Sequence, residues 1–525
     1  MNDRVANTLK RLGPCSSTDL VAALIKQHKL APATARQWVS RSENIKKLAN
    51  ILLPRGARFV YLQSDYASPE FWHALVTCLL QNSIAYGGGL AALMAREGVM
   101  PVSHFLIACG APVAQKRHVS ASAVLERLKG ANLVTTFDVP GIGECVELSQ
   151  RTPASAPELA RMRARLHTEG LLLYAIKDWA RKLGLVSFNT VNVRDEGDTQ
   201  PKVGTFNWDL AAPSYLSPLV QKTTIAIKPG FLVCDVLHGL NVSTEGLRPF
   251  LNKCQTLRSL PKIGKCLQLF VADGYSLDAF KAARTAGIVP ATTETLFGVE
   301  VARALRQLAD LLSETFVHDG TLQKVEEVFS RLSHIEGAAN NLRGALFEYL
   351  VAEAVRTSSP HTSLYINEIV RDAQGKPAEV DVLLYHRDQS IRFIECKGYK
   401  PGGIVPDEMV EHWLKDRVPL MREAAQNDHY WRNCALEFEF WTSGQLSPKA
   451  RALVQAKASA VRKFKLSVVE GAEVAERVKA TNNTALKKTY AEHFAEHPLE
   501  KAEKATKRTK RALAIPPASR LPKRD

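Results

Sequence analysis

The sequence lacks the features that mark several large classes of protein. No apolar run approaches the roughly 18 residues that a membrane-spanning helix needs, and the first residues contain no apolar signal core. The nine cysteines include no Cys-x-x-Cys pair, so they indicate neither a zinc site nor a disulfide framework. No Gly-Lys-Ser/Thr phosphate loop is present, which argues against a built-in ATP-driven motor. We therefore expect a cytoplasmic protein in a reducing compartment, with no membrane partner.

Acidic residues are the other shortage. The chain has 69 lysines and arginines against 53 acidic residues, which leaves a formal charge of +16. A basic excess of this size favours a polyanionic partner, and nucleic acid before a membrane surface. The alternative is a generally basic, solvated surface. The 525 residues predict several domains, and a hydrophobic content of 46% is ordinary for globular ones.

The most informative segment is a predicted β-hairpin. Its strands are AEVDVLLYH and SIRFIECK, which are rich in apolar and β-branched residues, and the turn-prone RDQS joins them. Because alternate residues of a strand face the same side, Glu395 and Lys397 share one face, and Asp381 on the partner strand can join them. Glu348 lies 33 residues before Asp381 on a predicted helix. A charge on that apolar face needs a partner or a metal.

These residue types suit a divalent cation beside a phosphodiester. Mg²⁺ prefers hard oxygen ligands and is held by one or two carboxylates, so we expect Asp381 and Glu395 to be direct ligands and the carbonyl of Cys396 a third. Glu348 would hold a second ion or a water of the first. Lys397 would orient the attacking water or stabilise the developing charge, and partial burial predicts a lowered pKa for it. A thiol nucleophile at Cys396 is a weaker alternative, because no histidine lies near it in sequence.

Together these residues resemble the PD-(D/E)xK motif of the restriction-endonuclease-like superfamily. The similarity covers roughly residues 330–470 and includes the order of helices and strands after Lys397. Val380 stands where the motif has proline. The competing explanation is chance, since Glu-x-Lys alone is common. The resemblance implies a Mg²⁺-dependent DNA endonuclease in residues 341–480, with Mn²⁺ able to replace Mg²⁺ and with Asp381, Glu395, Lys397 and Glu348 as the catalytic set.

Residues 155–298 predict a second copy of this fold. The strings CLQLFVADGYSLDAFKAARTAGI and ALEFEFWTSGQLSPKARALVQAKA both contain a strand, a small turn with serine, and an amphipathic helix, and both follow a hairpin and a long helix. The pattern indicates an internal duplication.

The chemistry of this first copy is predicted to be lost. Asp209 and Asp235 occupy the positions of the two metal-binding carboxylates, but Leu237 occupies the position of the lysine. No helix glutamate is well placed, Glu169 being off by a turn. We expect a degenerate domain; a divergent site that uses His238, or a misjudged fold, are the alternatives.

The N-terminal residues predict two DNA- or protein-binding modules. Residues 1–65 indicate a winged helix, and residues 66–150 a second one. The recognition helix and the wing of the first would present the candidate nucleic-acid contacts Arg36, Gln37, Ser40, Arg55 and Arg58. Winged helices also bind proteins, so this module could face a protein instead.

Two segments complete the chain. Residues 299–340 predict a helical connector, and residues 487–525 a basic tail. The last 25 residues carry nine lysines and arginines and two acidic residues, so we expect a disordered arm that adds salt-sensitive attraction to phosphates.

The predicted fold class is mixed α/β (α+β): tandem restriction-endonuclease-like domains, the first degenerate and the second active, after winged-helix domains. The predicted function is DNA cleavage in bacterial restriction or anti-phage defence, with DNA as partner, a homodimer where both strands are cut, and a motor or defence-system protein as a further partner. The alternatives are a non-enzymatic DNA-binding regulator or adaptor with a relic nuclease fold, a repair or recombination nuclease, and an RNA nuclease.

Overall fold

The structure of the protein is a computed structural model. It describes residues 2–51, 53–116, 118–149, 154–187, 190–196, 199–222, 227–260, 263–314, 324, 327, 328, 331, 332, 338–399 and 402–495. The described residues through Glu314 form one compact unit and those from Ala339 on form a second, and each is described by itself. None of the described helices combines the length and apolar content that a membrane crossing requires.

The first unit begins with a small domain of three helices and three short strands. Its elements are α1 (Asn2–Leu12), β1 (Cys15–Ser16), α2 (Ser17–His28), α3 (Pro32–Arg41), β2 (Lys46–Lys47) and β3 (Phe59–Tyr61). The strand order is β1-β3-β2. The helix expected to carry Arg36, Gln37 and Ser40 is confirmed as α3. Ile51 and Leu53, which lie between β2 and β3, are buried in the core of the next segment.

The next segment has the same strand order. Its elements are α4 (Pro69–Asn82), α5 (Ile84–Met94), β4 (Val99–Pro101), α6 (Val102–Ala108), α7 (Ala121–Gly130), β5 (Val134–Val139) and β6 (Gly143–Leu148). The strands run β4-β6-β5, so the first strand again pairs with the last, and all pairs are antiparallel. Serines at 68 and 120 cap α4 and α7 with their side chains, which fixes where these helices begin.

A five-stranded sheet forms the rest of the first unit. Its elements are α8 (Ala156–Lys182), β7 (Asn192–Val193), β8 (Lys202–Val203), β9 (Phe206–Asn207), β10 (Leu210–Ser214), β11 (Gln221–Lys222), β12 (Ile227–Lys228), β13 (Gly230–Val242), α9 (Thr244–Arg258), β14 (Cys266–Tyr275), α10 (Leu277–Thr285), β15 (Val289–Thr292), α11 (Thr293–Phe297) and α12 (Val299–Ser313). The order of this first sheet is β7-β10-β13-β14-β15. Helix α12 packs on α8, so this part of the predicted connector belongs to the domain; most of residues 315–337 lie outside the described residues.

The second unit contains another five-stranded sheet. Its elements are α13 (Ala338–Ser358), β16 (Ser363–Arg371), β17 (Pro377–His386), β18 (Ser390–Lys397), β19 (Ile404–Val405), α14 (Asp407–His412), a π-helical turn (Trp413–Arg417), α15 (Val418–Asn427), β20 (Ala435–Thr442), β21 (Gln445–Leu446), α16 (Pro448–Ala460), β22 (Lys465–Val469), α17 (Gly471–Ala480), α18 (Thr484–Tyr490) and a second π-helical turn (Ala491–Ala495). The predicted tail therefore begins in a helix, and residues 496–525 lie outside the described residues.

The two sheets share one topology. The second sheet is ordered β16-β17-β18-β20-β22. In each sheet the first three strands pair antiparallel and the remaining pairs are parallel. A long helix precedes both sheets, and helices connect the parallel strands. The protein is thus of the mixed α/β class, and the predicted hairpin β17–β18 is confirmed.

Candidate active site and its counterpart in the first unit

The strands β17 and β18 separate at the point where the candidate carboxylates lie. Their ladder begins at the pair Val382–Ile394, and beyond it the side chain of Asp381 takes the place of the ladder. The main-chain N–H of Cys396 donates a hydrogen bond of 2.7 Å to Asp381 Oδ2. The Asp381 carboxylate therefore accepts a main-chain N–H that has lost its partner strand where β17 and β18 separate.

Lys397 joins the two carboxylates. Its Nζ lies 2.8 Å from Glu395 Oε1 and 3.6 Å from Asp381 Oδ2. The two carboxylate side chains are each 9% exposed, whereas that of Lys397 is 30% exposed. The structure thus brings together three residues that the sequence predicted, and the ammonium is the member that solvent reaches.

Arg417 is a member of the site that the sequence analysis missed. Its Nη2 lies 3.1 Å from Glu395 Oε2 and also donates to the main-chain carbonyl of Glu379. Arg417 is the last residue of the π-helical turn Trp413–Arg417, and such turns frequently re-aim side chains at functional sites. The sequence predicts helical structure here but not the π-helical turn. Because a π-helical turn changes the number of residues per turn, α-helical spacing does not give the direction of the Arg417 side chain.

Glu348 lies on α13 close to the same cluster. Its charge acts on both Lys397 and Cys396, which places the carboxylate within electrostatic reach of the strand end. The close approach of helix and strand depends on Gly398, since a Cβ there would lie 2.6 Å from the carbonyl oxygen of Arg343. The glycine therefore lets the helix that carries Glu348 pack against the end of β18.

The electrostatics of the cluster follow from its burial. Burial and the nearby Glu395 charge raise the pKa of Asp381. Burial alone would also raise the pKa of Glu395, but the cations Lys397 and Arg417 outweigh it and the pKa is lowered. Burial alone would lower the pKa of Lys397, but the charges of Asp381 and Glu395 outweigh burial and raise it. The lowered pKa expected for Lys397 beside a bound metal stays a prediction.

The residues present fit a small divalent cation. Asp381 and Glu395 supply hard carboxylate oxygens from adjacent strands, and Lys397 bridges the two side chains. The described residues contain no group of three or more His, Cys, Asp or Glu side chains arranged around a common metal position. A cation here would rely on two carboxylates, main-chain oxygen and water.

The first sheet carries the same arrangement of strands and acidic residues. Leu210 pairs with Cys234, just as Val382 pairs with Ile394. Asp209 and Asp235 therefore match Asp381 and Glu395 in register. The N–H of Val236 donates a 2.8 Å hydrogen bond to Asp209 Oδ2, which repeats the bond from Cys396 to Asp381.

Two buried cations neutralise the carboxylates of the first sheet. Arg194 lies 2.8 Å from Asp209 and 2.5 Å from Glu169, and Lys253 of α9 lies 2.6 Å from Asp235. Glu169, which the sequence placed a turn away from the position of Glu348, reaches this cluster: its other oxygen accepts the N–H of His238 at the end of β13. The side chains in these ion pairs are all buried: Arg194, Asp209, Glu169, Lys253 and Asp235. A guanidinium thus sits between the carboxylates that would otherwise hold a cation.

The preceding segment covers this first set of carboxylates. The guanidinium of Arg96 donates to the carbonyl of Val236, and Lys253 donates to the carbonyl of Ile107. His104 Nε2 lies 2.7 Å from Asp195, which neighbours Arg194. Residues of the loop after α5 and of α6 therefore pack against the end of β13 and against the residues that carry its ion pairs.

A basic cleft lies on the N-terminal domain. It has a volume of about 670 Å³ and is lined by residues of α2, α3 and the loop between β2 and β3, including Arg36, Ser40, Lys47, Arg55 and Arg58. Four of the five predicted nucleic-acid contacts are thus brought together, and Lys47 joins them. Gln37 is not among the residues that line the cleft.

Known proteins offer no further guide to this site: no family model, no curated protein and no solved structure matches the chain.

Proposed function

We propose that the second unit is a metal-dependent phosphodiesterase of the restriction-endonuclease-like type and that DNA is its substrate. The observation that carries the proposal is the convergence of Asp381, Glu395 and Lys397 at the separated ends of β17 and β18. Mg²⁺ is the proposed cofactor, with Mn²⁺ as a substitute. The fold assignment is part of the proposal and rests on the sheet order and on the helix that precedes it.

The residues divide the chemistry among them. Asp381 and Glu395 would hold the cation, with the Cys396 carbonyl beside them and Glu348 at the rim. When bound, Mg²⁺ supplies a Lewis acid that stabilises charge on the phosphate oxygens. Lys397, the most exposed of the three side chains, would orient the attacking water or stabilise the phosphate charge that grows in the transition state. Arg417 would keep Glu395 ionised and oriented.

The N-terminal domains would capture the substrate. The basic cleft groups four cationic side chains on one face, which is the arrangement that binds the phosphates of a duplex. Its strand order and the matching order in the next segment support two winged helices. We propose that they deliver DNA to the second unit, that a homodimer cuts both strands, and that the setting is bacterial defence with a motor or another defence protein as partner.

The first sheet is proposed to be a catalytically inert copy. Its acidic residues are matched in register to those of the second sheet, but Arg194 and Lys253 neutralise them. A metal would have to displace two buried ion pairs, and breaking a buried pair costs about 3–5 kcal/mol. The charge set of the first sheet therefore supports a structural role for this domain.

Cleavage of supercoiled plasmid by the purified chain tests the proposal. We expect nicked and linear products with Mg²⁺ or Mn²⁺ and none with a chelator. Asp381→Asn should abolish cleavage, and Asp209→Asn, the register-matched change in the first sheet, serves as its control. Metal-independent cleavage, or equal activity in both variants, would overturn the assignment.

A non-enzymatic DNA-binding regulator is the second candidate. It is favoured by the lack of a three-residue metal-ligand group among the described residues and by the fully neutralised first sheet. Tight DNA binding with no cleavage under any metal condition would select it. Cleavage of RNA but not DNA in a parallel assay would redirect the substrate and leave the chemistry in place.

A further inference from the structure

A separate cavity opens beside the first sheet. It has a volume of about 220 Å³ and is formed by α8, α12 and the carboxyl ends of β13 and β14. Crevices at the carboxyl ends of parallel strands are where α/β sheets bind ligands. None of its residues belongs to the proposed nuclease site, so a ligand here would be a second function of the protein.

His238 forms the floor of this cavity and is completely buried. Its Nδ1 lies 2.7 Å from Asp273 Oδ1, but the ring is not directed for a good hydrogen bond, and Nε2 has no hydrogen-bond partner among the described residues. Asp273 itself is held by the N–H of Gly239 and the hydroxyl of Thr293. A buried ring nitrogen without a partner is costly unless a ligand or water satisfies it, and a small shift of the ring would be needed to bring it to the cavity surface.

Three arginines line the walls. Arg165 of α8 has a side chain only 6% exposed; it donates to the carbonyl of Val99 and lies 3.7 Å from Glu97. Arg161 lies one turn earlier and reaches the same Glu97 at 3.6 Å. Both contacts are longer than a charge-assisted hydrogen bond, so Glu97 compensates the two guanidinium groups only weakly; the charge of Glu169 also acts on Arg165. Arg306 is exposed on α12 across the cavity.

Burial further disfavours the positive charge of Arg165. The burial of Arg165 lowers the pKa of its guanidinium to about 10, which marks a cation with incomplete compensation. Arginine on several sides together with a buried imidazole is the donor set that recognises a tetrahedral dianion, because each guanidinium presents paired N–H groups to phosphate oxygens. The acidic Asp310 also lines the cavity, from the exposed side of α12.

We infer that this cavity binds a terminal phosphate group through His238, Arg161, Arg165 and Arg306. The volume of about 220 Å³ is below that of a pocket for a complete drug-sized ligand, so the phosphate would enter and the rest of the molecule would project outward. Inorganic phosphate, a mononucleotide and the 5′-phosphorylated end of a nucleic acid strand share this chemistry.

A phosphate bound in this cavity would also lie next to the buried ion pairs of the first sheet. The main-chain N–H of His238 donates to Glu169, which is the carboxylate that holds Arg194. Occupation of the cavity would therefore stabilise the first unit at the point where its buried charges meet. This effect needs no cleavage chemistry, and it can be measured whether or not the second unit is a nuclease.

Calorimetric titration of the full chain in chelator tests the inference. The probes are inorganic phosphate, adenosine monophosphate, and a dinucleotide with and without a 5′ phosphate. We expect saturable phosphate binding that Arg161→Ala and Arg306→Ala each weaken about five- to tenfold, since each removes a charge-assisted contact at the cavity wall. Both arginines are exposed, so these variants should fold.

Arg303→Ala is the matched control. Arg303 lies on the same helix as Arg306 and is exposed, but it pairs with Glu300 away from the cavity. Tighter binding of the nucleotide or of the phosphorylated dinucleotide than of free phosphate would identify a nucleic-acid source, and the reverse would identify phosphate itself. No saturable phosphate binding, equal binding of both dinucleotides, or an equal loss in Arg303→Ala would each overturn the inference.

Discussion

Replacing Lys397 with methionine should lower the melting temperature of the second unit. Lys397 and Arg417 face three carboxylates, and Lys397 is the cation that contacts both Asp381 and Glu395. Methionine keeps most of the side-chain volume but removes the charge, which leaves buried carboxylates that repel each other. Losing one partner of a buried pair costs about 3–5 kcal/mol, and the partial exposure of Lys397 reduces this to about 2–4 kcal/mol.

The expected change in melting temperature is a fall of roughly 5–15 °C for a unit of this size. The deficit should shrink as the pH falls through the raised pKa of Asp381, because that carboxyl becomes protonated and the repulsion disappears. Glu395 has a lowered pKa, so its ion pairs are retained over this window and are lost only at more acidic pH. Mg²⁺ should restore more stability to Lys397→Met than to the wild type, since a cation replaces the missing charge.

Calorimetry of the full chain measures the fall in melting temperature. Hydrogen exchange in β18 shows that the loss of stability lies in the second unit. Asp381→Asn is the opposing control: it removes the repelling charge while its amide oxygen still accepts the N–H of Cys396, so the melting temperature should be unchanged or higher. A Lys397→Met protein as stable as the wild type at pH 7, or a deficit that does not depend on pH, would refute the electrostatic account of the cluster.

Three further outcomes follow from the structure. Arg417→Met should lower the maximal cleavage rate about tenfold or more at unchanged DNA affinity, with Arg417→Lys recovering part of it, and a change in affinity alone would contradict the role given to Arg417. Asp235→Asn should leave cleavage unchanged and, by removing one partner of a buried pair, lower the stability of the first unit by about 3–5 kcal/mol in denaturant titration; lost cleavage in a stable protein would reveal a second active centre. Arg55→Ala with Arg58→Ala should weaken DNA binding and make its salt dependence shallower by one to two units in a log–log plot, and an unchanged slope would assign the cleft to a protein.

Much of the fold could be predicted from local pattern. The hairpin of β17 and β18 follows from alternating apolar residues around a turn, and serine caps fix several helix starts in the first unit. The segment SFNTVNV is rich in β-prone residues, and the structure places the short strand Asn192–Val193 in it. This strand lies at the edge of the sheet and pairs with β10, so strand propensity has little tertiary support there.

The site was predictable where residues are close in sequence and unpredictable where distant segments meet. Glu395 and Lys397 share a strand face by parity. The ion pairs of Lys253 with Asp235 and of Arg194 with Glu169 join residues 18 and 25 positions apart on different elements, and no spacing rule indicates them. The direction of Arg417 depends on a π-helical turn that shifts the helical period, and composition gives no sign of it.

The most direct measurement of the central claim is the rate at which the purified chain cleaves a labelled DNA duplex with Mg²⁺ under single-turnover conditions. Asp381→Asn and Asp209→Asn change the same position of the two matched sheets. The account predicts that Asp381→Asn abolishes cleavage while DNA binding persists, and that Asp209→Asn cleaves at the wild-type rate. Wild-type cleavage by Asp381→Asn, or no Mg²⁺-dependent cleavage by any form of the protein, would contradict it.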